Sequence, residues 1–476
     1  MTWRAASPPR GTLDAVRLAW FTPWPPQPTG VAGRSAELVP KLAGRGHAVD
    51  VFADEQRVPV ETAPADPPAA GHVRVLSAHD FVWRQARGQY DLAVYQVGNA
   101  RHHQFLWPYL FQYPGLAVLH DTRVHHARGH ALLSRARVEA YRAEFTWCHP
   151  ATRPDAAELG VRGFDGAFYS TWPMLRGVLA ASRRVAAHSR GAARMARAAS
   201  PAYDVGYIAL GEGAADEPSP AARLAARRRL GLPDEAVAFG VFGALTEDKR
   251  LPQIVEAFAD ARRRLSGARL VLAGRAAPAL RLDRLLGDHG VLEGTVLAGV
   301  LDDRAFDEAI AAVDAVVALR WPSSGETSGP WLRALAASRP TILTELEQIA
   351  DVPTLDPRSM QPHAGADAAA PAPIALSIDI LDEVHSLALA MRRLGESADL
   401  RARLGRAARS YWETEHTLDR MADDYERALA DAAAAAAPVA PLPSHLRPDP
   451  LAHARQLVAG IDPALAGRLE DLCGSR

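Results

Sequence analysis

The sequence predicts an α/β protein made of two doubly wound domains, on three observations. Apolar runs of strand length alternate with helical patterns along most of the chain. The same alternation starts afresh after residue 220. At 476 residues the chain is also too long for one ordinary core, and it suits two domains of roughly 200 residues each. The expected boundaries are 1–210 for the first domain, 211–220 for an exposed linker marked by Gly211, Gly213 and two prolines, and 221–405 for the second domain. A C-terminal helix at 406–430 is free to return to the first domain, and 431–476 reads as an Ala/Pro-rich spacer and tail with no assigned role.

The first domain opens with a strand at 16–21, a Pro-rich loop at 22–30 and a helix at 31–42 whose apolar positions include Val31, Leu38, Val39 and Leu42. Pro40 predicts a kink or an early end. Gly44 and Gly46 stop the helix, and 49–52 supplies the next strand. Apolar runs at 92–95 and 116–119 end in polar residues, Gln96-Val97-Gly98-Asn99 and His120-Asp121. A basic, Ala-rich helix is expected over 183–197, carrying Arg183, Arg184, Arg190, Arg194 and Arg197. A solvated face is its favoured reading and peripheral docking on a membrane surface the other. In the second domain strands are expected at 238–242, 270–273, 296–298, 315–319 and 341–343, with helices at 253–265, 305–313 and 331–337. A surface loop at 363–373 precedes one long helical pattern at 400–429.

A formal net charge of −1 implies no global attraction to nucleic acid or anionic lipid. The two cysteines, Cys148 and Cys473, are too far apart for metal-ligand spacing and read as free thiols in a reducing compartment. No signal-peptide core and no transmembrane-length apolar run is present in the sequence, so a soluble cytoplasmic protein is expected. The imidazoles of His102, His103, His125, His126 and His130 do not follow a known zinc spacing. Asp302-Asp303 opens a helical pattern and reads as a cap, so no metal is expected.

The candidate chemistry lies in loops that follow strands. Residues 320–340 read RWPSSGETSGPWLRALAASRP, which is strand end, polar turn and helix start. This places Glu326, with Gly325, Thr327 and Ser328, beyond the carboxyl end of a parallel strand and beside a helix N-terminus, where open α/β sheets bind ligands and unpaired N–H groups meet anions. The run Phe242-Gly243-Ala244-Leu245-Thr246-Glu247-Asp248-Lys249-Arg250 occupies an equivalent strand-to-helix turn. A cation fixed there would offset charge on a departing phosphate. In the first domain Gly30 opens a helix after the Pro-rich loop, and His120 ends a central strand.

These segments resemble the retaining, nucleotide-sugar-dependent glycosyltransferases of the GT-B fold, in particular a bacterial branch that shares the run leading to His120-Asp121. The resemblance covers about 16–429 and implies two Rossmann-like domains facing across a cleft, the first on the acceptor side and the second binding the nucleotide sugar. The family pattern is Glu, seven residues, Glu; here the first is Glu326, and the eighth position after it is Ala334. The resemblance assigns Glu326 to hydroxyls of the donor sugar, Lys249 to the diphosphate with Gly243 in the same turn, and Gly30 to close approach of backbone to phosphate. It also places His120 against the reacting carbon. The family's diphosphate arginine is Ala244 here, which leaves Arg250 as the neighbouring substitute. The implied reaction moves a sugar from a nucleoside diphosphate to an acceptor hydroxyl of a sugar, lipid or glycan with retention, without a cofactor. In the family the leaving phosphate helps to take the acceptor proton, and no second carboxylate is evident in the sequence to support two displacements. Two rivals stand beside it: a nucleotide-sugar epimerase or hydrolase on the same fold, and a non-catalytic nucleotide-sugar-binding protein suggested by Ala334 and Ala244. An NAD-dependent oxidoreductase is disfavoured, because no Gly-x-Gly-x-x-Gly follows a strand.

Overall fold

The structure, a computed structural model, describes residues 15–61, 69–164, 166–213, 217–363, 372–439 and 441–447. Expectations for 1–14, for Cys473 and most of the tail, and for the centre of the 363–373 loop fall outside the described residues.

The described strands form two seven-stranded sheets. The first contains β1 (Arg17–Phe21), β2 (Ala48–Ala53), β3 (Val73–Ser77), β4 (Leu92–Val97), β5 (Leu116–Leu119), β6 (Arg184–Ala187) and β7 (Gly206–Tyr207), in the order β3-β2-β1-β4-β5-β6-β7. The second contains β8 (Ala238–Phe242), β9 (Arg269–Ala273), β10 (Thr295–Gly299), β11 (Ala315–Ala318), β12 (Thr341–Thr344), β13 (Thr354–Leu355) and β14 (Ala375–Ile378), in the order β10-β9-β8-β11-β12-β14-β13. Pairing in both sheets is parallel. The strand sequences explain this. β2, β4, β8, β12 and β14 are buried along their whole length, as apolar runs must be when helices cover both faces of a sheet. At the centre of the first sheet, successive residues of β1 serve opposite faces: Trp20 packs with Leu38 and Leu42, while Phe21 stacks on Phe52 and Tyr95 at 5.2 and 5.0 Å.

Four expectations need correction. The helix Gly30–Gly44 runs through Pro40 rather than ending there; Pro40 lies on its exposed face, where the Ala36 carbonyl that loses its helical partner can turn to water. The segment 183–197 is not one helix: Arg184–Ala187 is a strand, and a helix, Arg190–Ala199, begins beyond it with Ser189 as its N-cap. Val185, Ala186 and Ala187 are small enough to be buried inside a sheet, and this overrides the helix propensity of the alanines. The pattern at 400–429 divides into Ala398–Glu415 and Leu418–Ala434, where Thr417 caps the second helix by accepting from the Arg420 N–H at 3.1 Å. Finally, Gly211 and Glu212 are buried rather than exposed, because Glu212 lies between Arg34 and Arg333.

The helix Leu418–Ala434 crosses back to the first sheet and buries Met421, Tyr425 and Leu429 with Trp20, Val39 and Leu42. Leu442 and Leu446 of the tail join the other side of that domain's core. The carboxyl ends of the two sheets meet: the loop after β5 hydrogen-bonds to the loop after β11, with the Thr122 N–H donating to the Ser324 carbonyl at 2.8 Å.

Candidate active site in the cleft between the sheets

The loop after β11 is built around Glu326. Its Oε2 accepts from the Ser323 hydroxyl at 2.9 Å and from the Ser324 N–H at 2.8 Å, and its Oε1 pairs with Arg320 Nε at 2.7 Å. A carboxylate held by three donors has a fixed direction and still keeps lone-pair capacity. Gly325 has φ +80°, and a Cβ there would lie 2.2 Å from Thr122 Oγ1 of the other domain. Only glycine fits both the left-handed backbone and the contact. Ser328 caps the helix Gly329–Ala336, its hydroxyl accepting from the Trp331 N–H, and the Thr327 hydroxyl donates to the His188 carbonyl at 3.5 Å.

The turn after β8 brings Lys249 beneath the same loop. Lys249 Nζ donates to the Phe242 carbonyl at 2.6 Å, and a Cβ on Gly243 (φ +85°) would lie 2.8 Å from that Nζ and 3.5 Å from Pro330. Burial, helped by the nearby Arg320 charge, pushes the Lys249 amine down to about 7, against the pull of Asp248 and Glu326. Arg320 is therefore part of the group: it pairs with Asp248 at 2.6 Å as well as with Glu326. Arg250, by contrast, is committed to Glu383, with Nη2 to Oε2 at 2.6 Å and Nε to Oε1 at 2.8 Å.

On the first-domain side His120 Nε2 lies 2.8 Å from Gln96 Oε1, and its ring packs against His188 with centroids 4.6 Å apart. Burial and the neighbouring His188 hold His120 well below the ordinary imidazole value, so it stands in the cleft as a neutral group. Beside it, Asp121 accepts from the Asn99 N–H at 2.7 Å; burial and the Glu326 charge push its carboxyl up to about 7. Gly30 is the first residue of its helix, capped by Thr29, and a Cβ there would meet nothing within 4 Å. The helix N-terminus is thus open in front of Gly30, although sterics do not demand a glycine.

The two halves are joined across the cleft by backbone. Ser324 O accepts from the N–H groups of Thr122 and Arg123, and the Arg123 guanidinium also binds the Ser323 carbonyl. Asp121, Glu326, Arg320 and Lys249 therefore act on one another at the facing strand ends, with His120 next to Asp121 in the chain. Sequence reasoning singled out His120, Glu326 and Lys249 but not Arg320, Asp121, Gln96 or His188. Position was the available signal: Arg320 lies two residues beyond β11, and Asp121 is next to His120.

No family model matches the chain, and no curated protein matches it. Solved structures do. Anabaena Alr3699/HepE in complex with UDP superposes with a TM-score of 0.57 at 15% identity, over 87% of this chain and 99% of that one. A glycosyltransferase from Rickettsia africae gives 0.56 at 11% identity over 88% and 99%. WaaG, a glycosyltransferase involved in lipopolysaccharide biosynthesis, gives 0.52 at 15% identity over 87% and 99%. The chain has the GT-B fold.

Within this GT-B frame the two sequence departures have clear physical settings. Ala334 is fully buried among Phe242, Ile310 and Val313; it fills a core between helix and sheet. Ala244 is exposed in the turn after β8, and Arg320 is the guanidinium that accompanies Lys249. The clustered histidines have separate structural roles: His125 meets the Tyr141 hydroxyl at 2.9 Å and His130 meets Gln104 at 2.9 Å. Asp302 caps its helix, accepting from the Ala305 N–H at 2.8 Å. The basic helix Arg190–Ala199 faces the second domain, with Arg194 paired to Glu347 at 3.1 Å and no room for a Cβ between Gly191 and the Glu347 carbonyl. Among the described residues no helix is long and apolar enough to cross a membrane.

Proposed function

We propose that this chain is a retaining glycosyltransferase that moves a hexosyl group from a nucleoside diphosphate sugar to an acceptor hydroxyl. The observation that carries this reading is the convergence of Lys249 and Arg320 with Glu326 at the strand ends of the second sheet, within reach of Asp121, the neighbour of His120, on the first. Relatives of the same fold that were solved with UDP and with UDP-glucose make uridine diphosphate the first base to test.

In this reading Lys249 and Arg320 stabilise the diphosphate as charge develops on it, in a cleft where burial strengthens each interaction. Arg320 takes the place first considered for Arg250 because it lies in one cluster with Lys249 and Glu326; both guanidinium groups are paired, Arg320 with Asp248 and Glu326 and Arg250 with Glu383. Gly243 lets Lys249 lie close to the turn, and the open helix start at Gly30 together with the Thr327 backbone and the Ser328 hydroxyl offers donors to phosphate oxygens. Glu326, aligned by Arg320, Ser323 and the Ser324 N–H, orients the sugar through its hydroxyls. Neutral His120, fixed by Gln96, hydrogen-bonds near the reacting carbon. The leaving phosphate takes the acceptor proton, so the attack comes from the face on which the bond breaks.

The experiment is to incubate the protein with UDP-glucose and a panel of sugar, glycan and lipid acceptors, then to identify the products and their anomeric configuration. Acceptor-dependent UDP release with an α-linked product, abolished in Glu326→Gln, supports transfer. Free glucose without acceptor dependence would indicate hydrolysis instead. A second reading, nucleotide-sugar binding without turnover, is favoured by one observation: where the resembled family has its second Glu, which contacts the nucleotide ribose, this chain has Ala334 buried in the core. Tight binding with no product from any acceptor would support it.

A further inference from the structure

The helix His125–Leu133 begins just beyond His120 and Asp121, and the surface around it is positive in a chain whose formal net charge is −1. Residues 99–137 contain five arginines, Arg101, Arg123, Arg128, Arg135 and Arg137, and a single carboxylate, Asp121. Two of these arginines are engaged: Arg128 pairs with Glu144 at 2.6 Å, and Arg123 binds the Ser323 carbonyl. Arg101 and Arg135 are exposed, and among the described residues neither has an ion-pair partner. Both lie near His130. Burial first, and then the charges of Arg101, the His126 ring and Arg135, hold the His130 imidazole below its ordinary value, with no carboxylate among the described residues acting the other way.

Asn99 joins this patch to the cleft. Its N–H donates to Asp121 at 2.7 Å, its side-chain oxygen accepts from the Ala127 N–H at 3.0 Å, and its carbonyl faces His126 Nδ1 at 3.4 Å. A carbonyl only accepts, so His126 Nδ1 carries the proton and Nε2 of the neutral ring is an acceptor. At His130 the assignment reverses: the Gln104 amide donates to Nδ1 at 2.9 Å, which leaves Nε2–H as a donor. The two rings stand at i and i+4 on one face of the helix, roughly 6 Å apart along its axis. Starting from Asn99, the surface therefore offers an acceptor at His126 and then, one turn on, a donor at His130 beside two guanidinium groups free of ion pairs. A hydroxyl suits the first position. A phosphate monoester suits the second, because it carries a charge of about −1.5 to −2 near neutrality and takes several donors at once, as guanidinium forks supply them.

We infer that the acceptor of the proposed transfer is a phosphorylated sugar, its phosphate held by Arg101, Arg135 and His130 and one of its hydroxyls by His126, with the accepting hydroxyl directed past Asp121 into the cleft. Its role as acceptor rests on the transfer proposed above, whereas the phosphate site rests on the patch alone. An anionic membrane surface would also attract these arginines, but no large apolar side chain is exposed within 99–137 to enter a bilayer beside them.

The test titrates glucose and glucose 6-phosphate by calorimetry into the full chain saturated with UDP, which keeps the sugar phosphate away from Lys249, and into Arg101→Gln and Arg135→Gln under the same conditions. Both replaced side chains are exposed and free of ion pairs, so the variants should fold and bind UDP as wild type does. The expected result is that glucose 6-phosphate binds at least about ten-fold more tightly than glucose and is weakened at least about five-fold in each variant. No saturation with glucose 6-phosphate below about 100 mM, equal affinity for the two sugars, or equal affinity in wild type and variants would overturn the proposal. Affinity for phosphatidylglycerol vesicles with none for glucose 6-phosphate would also overturn it, in favour of a membrane contact. If wild type binds no UDP, the donor-site reading fails by itself, and the same comparison made in a Lys249→Ala background still decides the phosphate site.

Discussion

The Tyr425 hydroxyl lies 3.1 Å from Gln96 Nε2 and 3.2 Å from Gln96 Oε1, although the two residues are 329 positions apart. Gln96 Oε1 is also the partner of His120 Nε2 at 2.8 Å. The helix Leu418–Ala434 therefore sets the orientation of the side chain that partners His120, so its return to the first domain bears on the proposed site. Tyr425→Phe removes the hydroxyl and keeps the ring packed on Trp20. We predict a fall in kcat of about five-fold, the worth of one hydrogen bond, with KM for the donor unchanged. Gln96→Leu, which strips His120 of its partner, should cost more. Steady-state kinetics on the two variants check this; equal kcat in wild type and Gln96→Leu would remove His120 from the account.

Gly325 reports on the closed arrangement of the domains. Alanine there must adopt φ +80° and place its Cβ 2.2 Å from Thr122 Oγ1, at a strain cost of about 1–3 kcal/mol. The loop would have to withdraw from Thr122, which would move Glu326 away from Asp121 and the first domain. We predict that Gly325→Ala unfolds near the wild-type temperature but loses most of its transfer activity. An activity assay beside a thermal melt decides, and wild-type turnover would show that the contact is dispensable.

Lys249 gives the site a pH signature. Its amine sits at about 7 in the folded chain against an ordinary 10.5. Between those values the unfolded chain holds a proton that the folded chain lacks, so this residue makes stability rise with pH across that window, and its penalty is full below about 7. A bound diphosphate favours the ammonium. Binding at about pH 8 should therefore take up a proton and at about pH 6 should not, which calorimetry in buffers of different ionisation enthalpy measures directly. Equal proton uptake at both pH values would contradict the assignment.

Far from the cleft, Glu144 joins the tail to the first domain. Burial alone would raise its carboxyl, but the Arg128 guanidinium at 2.7 and 2.6 Å and His445 at 3.0 Å hold it down to about 2. A depressed carboxylate contributes stability that is fully present above its ordinary 4.5 and is lost as pH falls toward about 2. Glu144→Gln leaves Arg128 buried without its counter-charge, and we predict a loss of about 3–5 kcal/mol, with the acid-sensitive phase absent. Urea melts at neutral and acidic pH test both parts.

Much of the architecture was legible because parallel strands buried on both faces are written as unbroken apolar runs. The strand 116–119 and the strand 238–242 were read to the residue for this reason, and Glu326, Lys249 and His120 follow from their place at strand ends. What was not legible has physical causes. Arg184–Ala187 is composed of helix-favouring residues, and only its neighbours in the sheet make it a strand. The break at Thr417 is a cap within an otherwise continuous helical pattern. Asp121 and Gln96 have partners that no local window contains, Glu326 for one and Tyr425 for the other, and Arg320 pairs with Asp248 across 72 positions as well as with nearby Glu326. Arg250 pairs with Glu383, 133 positions away, a contact that no local window shows.

The measurement that bears most directly on the central claim is a calorimetric titration of uridine, guanosine, thymidine and adenosine diphosphates into wild type and Lys249→Ala. The account predicts selective binding of one of them, uridine diphosphate first, weakened at least about 100-fold when the buried charge-assisted contact is removed. Binding of none of the four, or equal binding to wild type and variant, would contradict a donor site at the end of the second sheet.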